Sequence, residues 1–295
     1  MATISKTTPD YDAITYEDII QSKKLSSRQE LLDEFEKLKK VKVDKPTNSY
    51  AGNKIIYHYF IDEMIKTKRD TKGYITLDKV MSDPELKKKW IDQTIKIGRT
   101  KLDHIRPQDI WECYRRCKGS VNTFKAPMVR HLIKKFGATH YLDPTMGWGG
   151  RFLGAIAEDI KYTGIETNKN LMSGYYHLLN IKPNSGAKFI FNDCMKVDFS
   201  EIDYDFVLTS PPYMNLETYS HMKTWDSDEI YYQAFLIPLI LKLKLFIRRE
   251  GKVLINISNY MYDDYLKYGG IKAIDTIELP QSMGGKKNKE MIYIF

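Results

Sequence analysis

Two short segments carry residue types that chemistry needs gathered at one point. The first is Asp143-Pro144-Thr145-Met146-Gly147-Trp148-Gly149-Gly150, an acid followed by a glycine-rich run. Glycines at this spacing let the backbone turn tightly and approach a ligand closely. A phosphate-binding loop would continue into Lys-Ser or Lys-Thr, whereas here Arg151-Phe152 follows. An acid at such a turn disfavours a pyrophosphate and suits a ligand with a positive end. The second segment is Asp205-Phe206-Val207-Leu208-Thr209-Ser210-Pro211-Pro212-Tyr213. Two consecutive prolines lack amide hydrogens and hold the chain rigid. They fix the directions of the Ser210 hydroxyl and the neighbouring carbonyls, and Tyr213 adds a flat ring beside them. Acceptors next to a stacking face suit an exocyclic amino group on a planar base.

Both segments need strands to position them. Residues 141–142 form a short strand running into the glycine turn, and residues 151–159 a helix leaving it. Residues 161–166 form a second strand ending in Glu166, whose carboxylate is placed to accept both hydroxyls of a ribose. A helix over 168–180, a strand over 188–192 and a fourth strand over 205–209 follow. A long helix over 231–249, a strand over 252–257 and two closing strands, 276–279 and 290–295, complete the pattern. Alternating strands and helices predict an α/β fold with a doubly wound, mostly parallel sheet, closed at one edge by an antiparallel hairpin. Ligands of such sheets lie outside the carboxyl ends of the strands. A positive-ended ligand at the glycine turn, with a ribose on Glu166, fits the amino group and sulfonium of S-adenosylmethionine.

At these residues the chain resembles the amino-methyltransferases that use S-adenosylmethionine to methylate adenine N6 or cytosine N4 in DNA. Asp143 to Gly150 is similar to their cofactor motif, and Ser210-Pro211-Pro212-Tyr213 to their catalytic motif. Phe124-Lys125-Ala126-Pro127 is similar to the helix before their glycine turn. Asn192-Asp193-Cys194 is similar to the acidic turn that binds the cofactor's adenine amino group. The resemblance covers residues 121–295 and implies a seven-stranded methyltransferase sheet. It implies S-adenosyl-L-methionine held by Phe124, Lys125, Asp143, Pro144, Thr145, Gly147, Gly149, Glu166, Asp193, Cys194 and Ser210. It implies catalysis at Ser210, Pro211, Pro212 and Tyr213, with no metal. The Ser form of the motif is similar to the cytosine-N4 subset, which places that atom ahead of adenine N6. The wording Ser-Pro-Pro-Tyr-x-x-Leu-Glu-x-Tyr also resembles methylase-like proteins of phages and large viruses, and a restriction-protection role fits the same family.

The family's separate target-recognition domain has no room here. Ser210 comes only 60 positions after Gly150, and 82 residues follow Tyr213. Target recognition then falls to residues 1–120 and to the loop 214–229. DNA is the expected partner, with RNA second, and a homodimer or partner subunit is compatible with the chain. The alternatives are an RNA base amino-methyltransferase and a non-catalytic partner subunit. The intact Asp143, Gly147, Glu166, Ser210 and Tyr213 weigh against the latter.

Charge separates the two halves. The 295 residues carry a net charge of +8, yet residues 1–140 hold 29 Lys+Arg against 19 Asp+Glu, a net +10. Residues 141–295 hold 17 against 19, a net −2. Residues 1–120 therefore read as a basic helical region facing a polyanion, and 121–295 as the catalytic domain. Within the basic region, Ser27-x-x-Glu30 is a capping box. Helices follow it, then cover 55–66, 84–98 and 108–118, with residues 45–49 as a linker and 1–26 loosely ordered. Arg115, Arg116 and Lys118 are the phosphate candidates next to the catalytic domain. Cys113 and Cys117 stand four apart without a second pair of ligands, so a zinc site is not expected. Three cysteines exclude a disulfide scaffold. No apolar run reaches the roughly 18 residues of a membrane span, and the first residues carry no apolar signal core. The expectation is a soluble, intracellular protein of a prokaryote, an infected cell or a nucleus, with no membrane partner.

Overall fold

A computed structural model describes residues 13–69, 75–97, 105–116, 123–214, 217–218, 224–280 and 289–295. The basic region supplies α1 (Tyr16–Gln21), α2 (Arg28–Lys40), α3 (Asn53–Met64), the two-residue β1 (Lys68–Arg69), α4 (Leu77–Ser82), α5 (Pro84–Lys96) and α6 (Pro107–Tyr114). The α/β part begins with α7 (Ala126–Phe136), β2 (His140–Asp143), α8 (Gly150–Ala157), β3 (Lys161–Ile165), α9 (Met172–Leu179), β4 (Lys188–Ile190) and β5 (Phe206–Thr209). After β6 (Glu217–Thr218) come α10 (Asp228–Tyr231), a π-helical turn at Tyr232–Leu236, α11 (Ile237–Phe246), β7 (Lys252–Ser258), α12 (Asn259–Lys267), β8 (Asp275–Glu278) and β9 (Glu290–Ile294).

Seven strands form one sheet in the order β4-β3-β2-β5-β7-β9-β8. The first five are parallel, while β9 runs antiparallel to both β7 and β8. This is the mostly parallel, doubly wound sheet with a closing hairpin that the strand and helix alternation predicts. Side-chain alternation assigns its two faces. Tyr141, Tyr162, Phe206, Leu208 and Leu254 pack into one core, and Leu142, Ile165, Val207, Val253 and Ile255 into the other. Helices α10 to α12 cover the second face.

The first face is covered by α7, α8 and α9 together with α2 and α3. Phe35 and Leu38 of α2, and Ile55, Ile56, Phe60 and Met64 of α3, lie in the same core as Tyr141 and Phe152. Ile61 on the opposite side of α3, with Ile65 at its C-cap, goes to a third core. That core is built on Ile19, Leu77, Trp90 and Trp111. Packing therefore does not divide at residue 120, because α3 belongs to both layers.

Several local expectations are corrected. Residues 1–26 are not uniformly loose. Thr15 and Asp18 form a reciprocal cap that starts α1, whose Ile19 and Ile20 are buried. Ser27 caps Glu30 N–H at 3.1 Å, but the Glu30 carboxylate turns to Ser26 rather than back to Ser27, so only half of the expected box forms. The long helix over 231–249 is broken at the π turn. Pro238 has no amide hydrogen to return along the ladder, and the wider turn before it absorbs the misfit. The short helices α4 and α12 and the pair β1–β6 were not legible. Residues 98, 117 and 118, which belong to expected helix ends, lie outside the described residues.

Candidate active site

The chain runs outward from β2 to β3 and β4, then crosses back to β5 on the other side of β2. At that reversal the loops leaving β2 and β5 diverge and open a crevice. The glycine turn leaves β2 and the double-proline segment leaves β5. A hydroxyl junction ties them: Thr145 Oγ1 lies 2.6 Å from Thr209 Oγ1 and donates to the Ser210 carbonyl at 3.1 Å.

Within the turn, Gly147 and Gly149 take φ +57 and +78, the left-handed region that disfavours side chains. A Cβ on Gly149 would come within 2.7 Å of the Phe60 ring, so α3 presses directly on the turn. The Tyr175 hydroxyl supports it from behind, donating to the Met146 and Gly147 carbonyls at 3.0 and 2.8 Å. Glu166, just beyond β3, accepts Gly147 N–H on Oε2 and Asn168 N–H on Oε1, each at 2.9 Å. Burial pushes its carboxyl above the usual value, and the two backbone donors oppose that shift.

Asp143 does not face the crevice. It is fully buried, and its Oδ2 accepts Arg151 Nε at 2.8 Å and the Tyr162 hydroxyl at 2.9 Å. Burial, reinforced by the Asp143 charge, holds the Tyr162 hydroxyl well above its ordinary value. Arg151 also donates to the Thr145 carbonyl. The acid of the first motif thus clamps the turn from inside through Arg151. The positive partner read from its position is a guanidinium of the same loop.

In the second motif the Pro212 carbonyl is occupied by the Tyr231 hydroxyl at 2.7 Å and Met214 N–H at 3.0 Å. The Pro211 carbonyl accepts no hydrogen bond from the described residues. Tyr213 donates its hydroxyl to Glu290 Oε2 of β9 at 2.6 Å, and Asn256 of β7 donates to the same oxygen at 3.2 Å. Burial, then the Glu290 charge, pushes the Tyr213 hydroxyl well above its ordinary value.

These groups line one cavity of about 870 Å³. Of the sequence-derived residues, Phe124, Lys125, Pro144, Thr145, Gly147, Glu166, Asp193, Cys194, Ser210, Pro211, Pro212, Tyr213 and Arg115 are on its wall. Asp143 and Gly149 stand behind it. Arg115 pairs with Glu112 at 3.0 Å, Arg116 is exposed, and Lys118 lies outside the described residues. Lys125 donates to Asn48 at 2.9 Å and sits 4.4 Å from the Tyr50 ring centroid. Burial, helped by Asp193, pushes the Cys194 thiol up to about 12, which makes it a packing group and not a nucleophile.

Sequence reasoning missed a second set on the wall. Thr47 and Asn48 come from the segment read as a linker, Tyr50 from the turn after it, and Asn53 and Tyr57 from α3. The Asn53 Oδ1 atom is buried with no hydrogen-bond partner among the described residues. Asn256 and Glu290 come from strands at the far edge of the sheet. No motif marks these residues. The exchange of apolar for polar side chains within β7 and at the start of β9 was the one available signal.

No family model matches the chain, and no curated protein matches it. Solved structures give weak likenesses. TrmN from Thermus thermophilus is 12% identical at a TM-score of 0.42, covering 57% of this chain and 48% of that one. An rRNA methylase from Streptococcus thermophilus is 12% identical at 0.40, covering 59% and 97%. The tRNA m1G37 methyltransferase of M. jannaschii is 12% identical at 0.37, covering 56% and 47%. At these values the likenesses assign no reaction and no substrate to this chain.

Proposed function

We propose that this chain is an S-adenosylmethionine-dependent methyltransferase acting on the exocyclic amino group of a flipped-out base in DNA, with cytosine N4 ahead of adenine N6. The observation that carries the reading is the shared cavity. It joins the glycine turn, Glu166 and Asp193 on one side to Ser210, Pro211 and Tyr213 on the other.

The wall residues fit the methyl donor. The buried, unpartnered Asn53 Oδ1 calls for a hydrogen-bond donor, which an ammonium group supplies. Glu166 keeps acceptor capacity beyond the two backbone bonds it makes, and suits ribose hydroxyls. Asp193 and the buried Cys194 would border the adenine. When bound, S-adenosylmethionine supplies an electrophilic methyl group.

The chain's own residues do the rest. Tyr213 stacks on the flipped base and excludes water from one face. Ser210 Oγ and the Pro211 carbonyl, which no described residue occupies, accept the amino hydrogens and aim the nitrogen lone pair. Because Pro212 is anchored by Tyr231, these acceptors hold their directions before substrate arrives. The test is isotopically labelled methyl donor with DNA and RNA in parallel, followed by nucleoside analysis. N4-methylcytosine or N6-methyladenine from DNA supports the reading. A product from RNA alone moves it to the RNA alternative, and no product from either overturns it.

A further inference from the structure

Glu290 lies 77 residues beyond Tyr213 in sequence, outside both motifs, yet its carboxylate accepts the Tyr213 hydroxyl at 2.6 Å. Asn256 Nδ2 donates to the same oxygen at 3.2 Å and to the Met291 carbonyl at 3.0 Å. Glu290 opens β9 opposite Ser258 of β7, so strand pairing and Asn256 together tie the acceptor to the sheet. Among the described residues, Tyr213 and Asn256 are the side chains that bond this carboxylate, and the neighbouring Lys289 pairs with Glu278 at 3.0 Å instead. An acid kept for stability would take a cation; this one takes a phenol on the cavity wall. The backbone end of Tyr213 is fixed as well. Met214 N–H returns to the Pro212 carbonyl at 3.0 Å, which puts Tyr213 at the centre of a three-residue turn. Met214 takes φ +43, a left-handed conformation uncommon outside glycine. The Tyr231 hydroxyl holds the same Pro212 carbonyl at 2.7 Å. The ring is thus held at its root by the turn and at its tip by a hydrogen bond to a charged acceptor, the stronger kind.

We propose that Glu290, held by Asn256, is a positioning residue that fixes the Tyr213 ring at the angle on which a flipped base stacks. This role rests on the methyltransferase reading and deepens it. Tyr213 has two side-chain torsions, and with its backbone set by the turn, anchoring Oη sets both. Removing the acceptor frees the ring, and the base then meets a face that is no longer preset. The loss falls on alignment of the amino nitrogen and leaves the cofactor end of the cavity untouched. Glu290 acts through Tyr213 and is assigned no contact with the reacting atoms.

The test compares the full-length wild type with Glu290→Ala, Glu290→Gln and Tyr213→Phe. A glutamine oxygen still accepts the Tyr213 hydroxyl, whereas alanine offers nothing. We expect kcat/KM for nucleic acid to fall about tenfold or more in Glu290→Ala and in Tyr213→Phe, and no further in the double variant. Glu290→Gln should recover to within about threefold of wild type. The calorimetric Kd for S-adenosylhomocysteine should stay within about twofold throughout. Independently of turnover, tyrosine labelled with carbon-13 at Cζ gives one nuclear magnetic resonance signal that is missing from Tyr213→Phe. That signal should move in Glu290→Ala and return in Glu290→Gln. Wild-type kcat/KM in Glu290→Ala, a Gln variant as impaired as the Ala variant, additive losses, weakened S-adenosylhomocysteine binding or an unmoved Tyr213 signal overturns the positioning role. Should Glu290→Ala fail to fold, Tyr213→Phe removes the same bond at the cost of one oxygen, and wild-type kcat/KM there overturns the role by itself. Failure of the wild type to methylate either nucleic acid instead overturns the methyltransferase reading, and the positioning role falls with it.

Discussion

Ser210 offers two different atoms to two different tasks, and substitution separates them. Its carbonyl is held by Thr145 and builds the junction between the loops, while its hydroxyl faces the cavity. Ser210→Ala keeps the first and removes the second. We expect kcat to fall about 10²- to 10³-fold, the scale of losing one transition-state hydrogen bond, with S-adenosylhomocysteine affinity little changed in calorimetry. Arg151 calls for the opposite kind of experiment. Removing it as Arg151→Met strands the fully buried Asp143 without its partner, which costs about 3–5 kcal/mol in denaturant unfolding. Adding Asp143→Asn should restore part of that loss. Glu166 sets a pH dependence. Its native carboxyl holds a proton more tightly than the unfolded chain does, so its contribution to stability is complete below the ordinary value of 4.5 and declines as pH rises through the higher native value. Glu166→Gln should flatten that decline when urea midpoints are compared across pH.

At the scale of elements, α3 is the piece that makes the site possible. It presses Phe60 on the glycine turn, sends Asn53 to the cavity wall and completes the core beneath α8 and α9. Gly149→Ala should destabilise the fold by more than about 1 kcal/mol, because the added methyl meets Phe60 in a backbone conformation that alanine avoids. A fragment starting at residue 121 loses Phe35, Leu38, Ile55, Ile56, Phe60 and Met64 from one core. At about 1.5–3 kcal/mol for each buried large side chain, the deficit is as large as the whole stability of an ordinary domain, so circular dichroism should find no cooperative unfolding transition.

That packing also explains what was readable in advance. The two motifs were legible because each follows a short apolar strand and contains residues that only a special turn requires. The sheet was legible from strand and helix alternation. The seat of α2 and α3 was not, because amphipathic spacing defines an apolar face without naming its partner. Glu290 and Asn256 were invisible for a related reason: strand pairing brings them to Tyr213, and pairing is non-local. Asp143 was legible as an acid at a strand end, but not the arginine eight residues later that pairs with its Oδ2, since sequence spacing does not reveal that contact.

At the scale of the whole molecule, the proposed function assigns the positive charge of residues 1–140 to a polyanion. The helix α5 presents exposed Lys88, Lys89 and Lys96 along one open groove. Replacing these three by Gln should lower the slope of log K against log salt for DNA binding by about 2–3, while leaving S-adenosylhomocysteine binding intact. An unchanged slope would place the backbone contacts elsewhere.

The double membership of α3 bears on how such a chain can be inherited. A recognition module joined to a catalytic one by a spacer can be exchanged as a cassette, and each half keeps its fold. Here a graft cut at residue 120 would carry away Phe35, Leu38, Ile55, Ile56, Phe60 and Met64, six buried side chains of the core on one face of the sheet, with the donor piece. On the proposed function, a new target preference would arise by point changes on the outer helices α4 to α6 and in the loop 214–229, with the inner pair α2 and α3 kept in place because they complete the core beneath the sheet.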